Sequence, residues 1–403
     1  MKAVVFHGIG DVRVEDVPRP RIQDAQDAVV RITASAICGT DLHIVRGTLG
    51  GMKPGTILGH EGIGVVEEIG AGVRNLRPGD RVVIPSTICC GYCAYCRAGY
   101  TSQCDNANPG GPRAGTAFYG GPSGSGAFDG LQAEYARVPF ANANLVPLPG
   151  EVTDDQAILL SDVFPTGYFA ARLAEIEPGD TVAVFGCGPI GQFAIASAKL
   201  MGAGRVLAVD TVSSRLEAAR EQGAEVIDFN AEDPVQSILG LTGDIGVDRA
   251  IDAVGVDAYK PQAGPALRRA EQEDVHFKQE LDEILGDNRD EHVHPGNAPS
   301  QVASWAIESL AKAGTLAMVG VYPSAELFFP LGDVVEKNLT IRAGNCPHRR
   351  YIPGLIDLVR TGVIDPARVI TQSEPITAAA SAYQSFEERQ PGWLKVKLEP
   401  ALV

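Results

Sequence analysis

Basic residues are the scarce class in this chain of 403 residues: Lys and Arg number 34 against 50 Asp and Glu, a formal charge of -16. So acidic a surface repels polyanions, which excludes nucleic acid and anionic membrane as partners. The chain also lacks a long unbroken apolar run. Its longest, Thr181 to Leu200, is interrupted by Gly186, Cys187, Gly188 and Pro189 and cannot form a spanning helix. Met1 to Gly8 holds too short an apolar stretch for a signal peptide and reads as an opening strand. A cytoplasmic protein is expected.

Glycine and proline are plentiful instead, at 46 and 27 residues, which suits short strands and tight turns. Up to about Pro149 the chain is short β-branched runs separated by Gly, Pro and Asp, the pattern of an irregular, mostly β domain. From about Asp154 strands alternate with helix-length segments, as in Thr181 to Phe185, Ile190 to Met201 and Val206 to Val209. That alternation predicts an α/β domain with a doubly wound parallel sheet. After about Cys346 come one helix-like stretch, Leu355 to Arg360, and a terminal strand, Leu394 to Leu398, able to return to the first domain. The expected division is 1–154, 155–345 and a return segment 346–403.

Three groups of residues carry chemistry. Gly186-Cys187-Gly188-Pro189-Ile190-Gly191 follows an apolar strand and opens a helix, so its glycines let backbone N–H groups approach a pyrophosphate at a helix N-terminus. The next strand ends in Asp210, whose carboxylate suits the adenosine ribose hydroxyls and repels a 2'-phosphate, favouring NAD over NADP. Cys90, Cys93, Cys96 and Cys104 have the spacing of a closed four-thiolate zinc site, with an iron–sulfur centre as the rival; Cys89 reads as a bystander. Cys38, His60 and Asp162, each weak alone, together offer a thiolate, an imidazole and a carboxylate, a set that leaves a fourth position open on zinc.

These motifs, in this order and approximate spacing, resemble the zinc-containing medium-chain alcohol dehydrogenases over nearly the whole chain. The Leu160-Ser161-Asp162-Val163-Phe164-Pro165-Thr166-Gly167 stretch and the long chain look most like the glutathione-independent formaldehyde dehydrogenase and aldehyde dismutase branch. The resemblance implies a GroES-like, mostly β catalytic domain around a Rossmann cofactor domain. It implies two zinc ions, NAD, a small alcohol or aldehyde as substrate, and a homodimer or homotetramer.

Carried over residue by residue, it implies that Cys38, His60 and Asp162 hold the catalytic zinc, with Glu61 behind it as an occasional ligand. Asp41 would hydrogen-bond the His60 ring. Thr40 would hold the alcohol oxygen and His43 pass its proton outward. Thr166 would line the nicotinamide, Arg215 would lie beside the adenosine ribose, and Gly186, Gly188, Pro189, Ile190 and Gly191 would cradle the pyrophosphate. Gly39 stands where some relatives carry an arginine on the pyrophosphate, leaving Arg349 and Arg350 as candidates for that contact.

The surplus length lies at about 256–299, where Pro265 to Leu285 reads as an amphipathic helix stopped by Gly286. His276, His292 and His294 in this insertion lack the spacing of a metal site and read as solvated. In the branch with tightly held NAD an insertion covers the adenine end of the cofactor, which gives this segment one candidate role. Three readings of function result: an NAD-dependent zinc alcohol or aldehyde dehydrogenase, a dismutase that retains NAD, and a non-catalytic NAD- and zinc-binding interaction protein. The shape of the substrate pocket is expected to depend on the loops near Thr87, Phe118 and Tyr119.

Overall fold

The computed structural model describes residues 1–108, 110–111, 114–286, 295–325 and 327–400. The chain forms two compact units, Met1–Pro165 with Asn345–Val403 and Thr166–Gly344. The division falls inside the helix Val163–Leu173, eleven residues beyond the expected 154. The turn before that helix carries Asp162, so the first unit keeps a residue that strand–helix alternation assigns to the second.

The first unit is mostly β. Its strands are β1 (Lys2–Gly8), β2 (Asp11–Asp16), β3 (Ala28–Ile37), β4 (Thr56–Ile57), β5 (Glu61–Ile69), β6 (Arg81–Ile84), β7 (Tyr135–Val138) and β8 (Val146–Pro147). The second unit supplies β9 (Thr181–Phe185), β10 (Arg205–Asp210), β11 (Glu225–Asp228), β12 (Val247–Asp252), β13 (Leu310–Met318) and β14 (Thr340–Ala343). The return segment then adds β15 (Gln372–Pro375) and β16 (Val396–Glu399) to the first unit. A sheet in the order β15-β16-β3-β5-β6-β8, with β7 also on β3, therefore contains strands from both ends of the chain. The terminal strand pairs antiparallel with β3, Val396 opposite Ile37.

The second unit is a six-stranded parallel sheet in the order β11-β10-β9-β12-β13-β14. Counted within the unit this is 3-2-1-4-5-6, the Rossmann order. Alternate side chains of β9 serve opposite faces: Val182 and Val184 join a core with Val206, Ala208 and Ile195, while Ala183 and Phe185 join one with Leu207, Val209 and Trp305. The helix Gln301–Ser309 is buried on nearly every side, including Gln301 and Ser304. The insertion contains the helix Gly264–Leu285, ended by Gly286 with φ 52°. Phe277 is buried in it, and so is Glu280, whose carboxylate accepts from Ser300 Oγ and the Phe328 amide. His276 stacks on Phe328; His292 and His294 lie outside the described residues. No helix among the described residues is long and apolar enough to cross a membrane.

Candidate active site and metal centres

Strand register assembles the first metal centre. β3 and β5 run antiparallel with Ala36 opposite Glu61, which sets Cys38, just past the end of β3, beside His60, just before β5. Gly59 precedes His60 at φ 91°, and a Cβ there would collide with the Gln132 side chain. Ser161 ties the third segment in place: its hydroxyl accepts from the Gly62 amide at 3.0 Å and donates to the Ile84 carbonyl at 2.5 Å. Asp162 follows directly.

Cys38, His60, Glu61 and Asp162 are all buried, and one ligand atom from each lies within 4.8 Å of the others. Asp162 Oδ2 is 3.5 Å from both Cys38 Sγ and His60 Nε2. Ligands bound at about 2.0–2.3 Å in a tetrahedron sit roughly 3.3–3.8 Å apart, so this spacing fits zinc. Glu61 Oε2 is buried with no hydrogen-bond partner, whereas Oε1 accepts from Lys395 Nζ at 2.5 Å. An unpaired carboxylate oxygen inside a protein is costly, and a neighbouring cation relieves it.

Charge in the cluster is strongly perturbed. Burial pushes the Cys38 thiol up to about 11, and burial likewise raises the Glu61 carboxyl to about 7 against the pull of Lys395. Burial opposes a charged His60, but the Asp41 and Asp162 carboxylates outweigh it and raise the ring well above its usual value. Asp162 moves the other way: burial is overcome by hydrogen bonds from His348 and His60, which hold it ionised. The metal-free pocket therefore stores protons on Cys38 and His60 that a metal ion must displace.

Asp41 Oδ1 lies 3.0 Å from His60 Nδ1, while its Oδ2 accepts from the Cys38 amide at 2.9 Å and from Gln132 Nε2 at 3.3 Å. Tyr383 donates to Gln132 Oε1 at 2.8 Å. One carboxylate thus orients the imidazole and caps the helix Gly39–Val45 that begins after Cys38. Thr40 and His43 are three residues apart on this helix and share a face; Thr40 is half-buried and His43 buried. Phe118 packs edge-on against the His60 ring.

The second centre gathers Cys90, Cys93, Cys96 and Cys104, again within 4.8 Å of one another. Cys90 and Cys96, and Cys93 and Cys104, have sulfurs 4.0 Å apart, close to the roughly 3.8 Å edge of a tetrahedral four-sulfur zinc site. Amides of Cys90, Tyr92, Cys93 and Ala107 point at the sulfurs at 3.2–3.4 Å, as does Asn106 Nδ2, an environment made for thiolates. Cys89 stays outside the four. It is fully buried, and its amide donates to Asn144 Oδ1.

In the second unit the glycine-rich turn joins β9 to the helix Pro189–Leu200, with Gly188 as N-cap and Pro189 at the first helical position. Gly186 has φ 89°, and a Cβ on Gly191 would run into the Gly186 carbonyl. Asp210 closes β10, but its carboxylate is not idle: Oδ2 accepts from the Cys187 amide, and Oδ1 from the Thr211 and Val212 amides. It therefore shapes the turn. Arg215 Nε is buried without a hydrogen-bond partner among the described residues. Thr166 is buried on the helix Val163–Leu173. Arg349 is half-buried and Arg350 exposed over the Tyr351 ring.

Residues 24–150 match the alcohol dehydrogenase GroES-like domain, and residues 189–273 match the zinc-binding dehydrogenase domain. A zinc-type alcohol dehydrogenase-like protein of Bacillus subtilis is 38% identical over 99% of this chain and 100% of its own. The chain belongs to the zinc-type alcohol dehydrogenases. The solved structure of alcohol dehydrogenase TADH from Thermus sp. ATN1 superposes with a TM-score of 0.81 at 34% identity, covering 100% of both chains. A glutathione-independent formaldehyde dehydrogenase of Pseudomonas aeruginosa is 40% identical over 64% of this chain and 66% of its own. As in this family, the cofactors are zinc and NAD, and the two clusters fit a catalytic and a structural ion. Three residues around a zinc-type dehydrogenase site of this kind carried no sequence signal: Gln132, His348 and Lys395. Gln132 lies in a bend before β7, His348 at the start of a helix and Lys395 just before β16, each far in sequence from the residues it meets.

Proposed function

We propose that the chain oxidises a small alcohol, or an aldehyde hydrate, by transferring hydride to NAD, and runs the reverse reduction. The observation that carries this is the buried donor set of Cys38, His60, Glu61 and Asp162, in the same unit as Thr40 and His43. Zinc bound there supplies Lewis acidity toward the alcohol oxygen, and NAD supplies the hydride acceptor. Cys38, His60 and Asp162 act as the ligands, with Glu61 in reserve behind them. Thr40 Oγ1 accepts the substrate hydroxyl proton, and His43, one turn on, passes it outward. The substrate carbon gives its hydride to NAD, and an aldehyde or ketone leaves, or a carboxylic acid where the substrate is an aldehyde hydrate. Gly186, Gly188, Pro189, Ile190 and Gly191 cradle the pyrophosphate, Asp210 and Arg215 meet the adenosine ribose, and Thr166 lines the nicotinamide. Cys90, Cys93, Cys96 and Cys104 hold the structural ion.

A second reading, an aldehyde dismutase that retains NAD, is favoured by the insertion helix Gly264–Leu285 together with the 40% identity to a formaldehyde dehydrogenase. The insertion then covers the adenine end of the cofactor. None of the eight cysteines is in a disulfide, which fits a reducing cytoplasm. Self-association as a dimer or tetramer is supported by the edge strand β14, which among the described residues pairs only with β13, and by exposed Leu331 and Val335 nearby in sequence.

NADH formation against primary, secondary and aromatic alcohols and formaldehyde, with zinc analysis and with or without added NAD, tests both readings. Turnover that depends on added NAD supports the dehydrogenase; turnover without it supports the dismutase. Absence of hydride transfer from zinc-loaded protein across the panel refutes both and favours a non-catalytic binding role.

A further inference from the structure

His348 is the first residue of the helix His348–Arg360, and its side chain is 4% exposed. Its Nε2 lies 2.7 Å from Asp162 Oδ1, and its Nδ1 lies 3.0 Å from Thr87 Oγ1. Thr87 Oγ1 is also 3.4 Å from the Cys346 carbonyl. The two oxygens of Asp162 thus have separate partners: Oδ2 faces Cys38 and His60, and Oδ1 faces His348.

We propose that His348 is a positioning residue that restricts Asp162 to offering the catalytic zinc a single oxygen, with Thr87 setting the orientation of the His348 ring. The proposal rests on the reading of Asp162 as a zinc ligand. An ionised carboxylate only accepts hydrogen bonds, so His348 Nε2 carries the proton. Thr87 Oγ1, 3.0 Å from Nδ1 and 3.4 Å from the Cys346 carbonyl, holds the ring in the orientation that aims Nε2 at Asp162. A carboxylate with both oxygens free can chelate an ion. That would consume the position an alcohol oxygen needs. With Oδ1 committed to an imidazole buried at the start of a helix, Asp162 can neither rotate nor chelate without breaking a buried hydrogen bond. The arrangement differs from that at His60, where a carboxylate orients an imidazole ligand; here an imidazole orients a carboxylate ligand.

The test uses full-length protein with zinc in the four-cysteine site and cobalt(II) in the catalytic site, whose visible bands weaken as coordination number rises. His348→Ala should weaken these bands and speed loss of that metal to a chelator by roughly 10- to 100-fold, with the four-cysteine zinc retained. His348→Gln, whose amide can still donate to Oδ1, should restore both readouts toward the parent protein. Parent bands and parent release in His348→Ala overturn the proposal, as does a His348→Gln protein no better than His348→Ala. If His348→Ala does not fold, Thr87→Val decides: a smaller change of the same sign supports the proposal, and no change refutes it. Asp162→Ala separates this proposal from its parent reading. Unchanged bands in that variant remove Asp162 from the ligand set and both ideas fall, whereas lost cobalt alongside silent His348 variants overturns only the role of His348.

Discussion

Lys395→Met probes the charge balance behind the metal site. Lys395 and Glu61 are both fully buried, with Nζ and Oε1 2.5 Å apart, and the ammonium also donates to the Ile37 carbonyl at 3.1 Å. Burial pushes the Glu61 carboxyl up to about 7 even with this cation beside it. Without Lys395 the carboxylate takes up a proton. An unfolded glutamate ionises near pH 4.3, and each unit above that costs about 1.4 kcal/mol to hold the group neutral, so the penalty at pH 7 is roughly 3.7 kcal/mol. That agrees with the ~3–5 kcal/mol typical of breaking one side of a buried pair. Because the folded-state pKa is raised, the penalty is present above the unfolded pKa and fades as pH falls toward it, to about 1 kcal/mol at pH 5. The comparison is between Lys395→Met and Lys395→Met with Glu61→Gln, both with the catalytic metal removed, by urea unfolding from pH 5 to 7. The double variant should be the more stable at pH 7, with the gap closing toward pH 5. A gap that does not change with pH, or a Lys395→Met protein as stable as the parent at pH 7, would falsify the argument.

Zinc uptake by metal-stripped protein should release protons and strengthen with rising pH, because the Cys38 thiol at about 11 and the raised His60 ring both hold protons that zinc must displace; potentiometric titration during uptake checks this, and pH-independent affinity contradicts it. Gly191→Ala should weaken NAD binding more than tenfold, over about 1.4 kcal/mol, since the new methyl group meets the Gly186 carbonyl and opens the turn; calorimetry that finds parent affinity sinks the assignment of that turn. Cys104→Ser should lower bound zinc by one equivalent and reduce thermal stability while leaving the other cluster able to take metal, as read by elemental analysis and a melting curve.

What could be read from the chain depended on whether a residue's job was local. The four cysteines lie within fifteen residues and the glycine turn within six, so their chemistry is written in short spacings. The strand pattern likewise announced β9 and β10 nearly to the residue, because both feed apolar side chains into the cores on the two faces of the sheet. Asp41 and His60 could be paired only through the family resemblance, since nothing local links residues nineteen apart. His348 shows where such reading stops. Pro353 and Gly354 read as helix breakers, which places the start of the helix at Leu355, yet the helix runs through them from His348. Seven residues of shift move His348 from an unplaced loop to a buried helix start, against a carboxylate 186 positions earlier. Lys395 is similar: it stands immediately before β16, and only the pairing of that strand with β3 reveals that its ammonium ends at Glu61. Ligands need particular atoms at a metal and so leave motifs. The groups that aim those ligands need only arrive from somewhere, and the return of the C-terminal segment to the first sheet is what brings them.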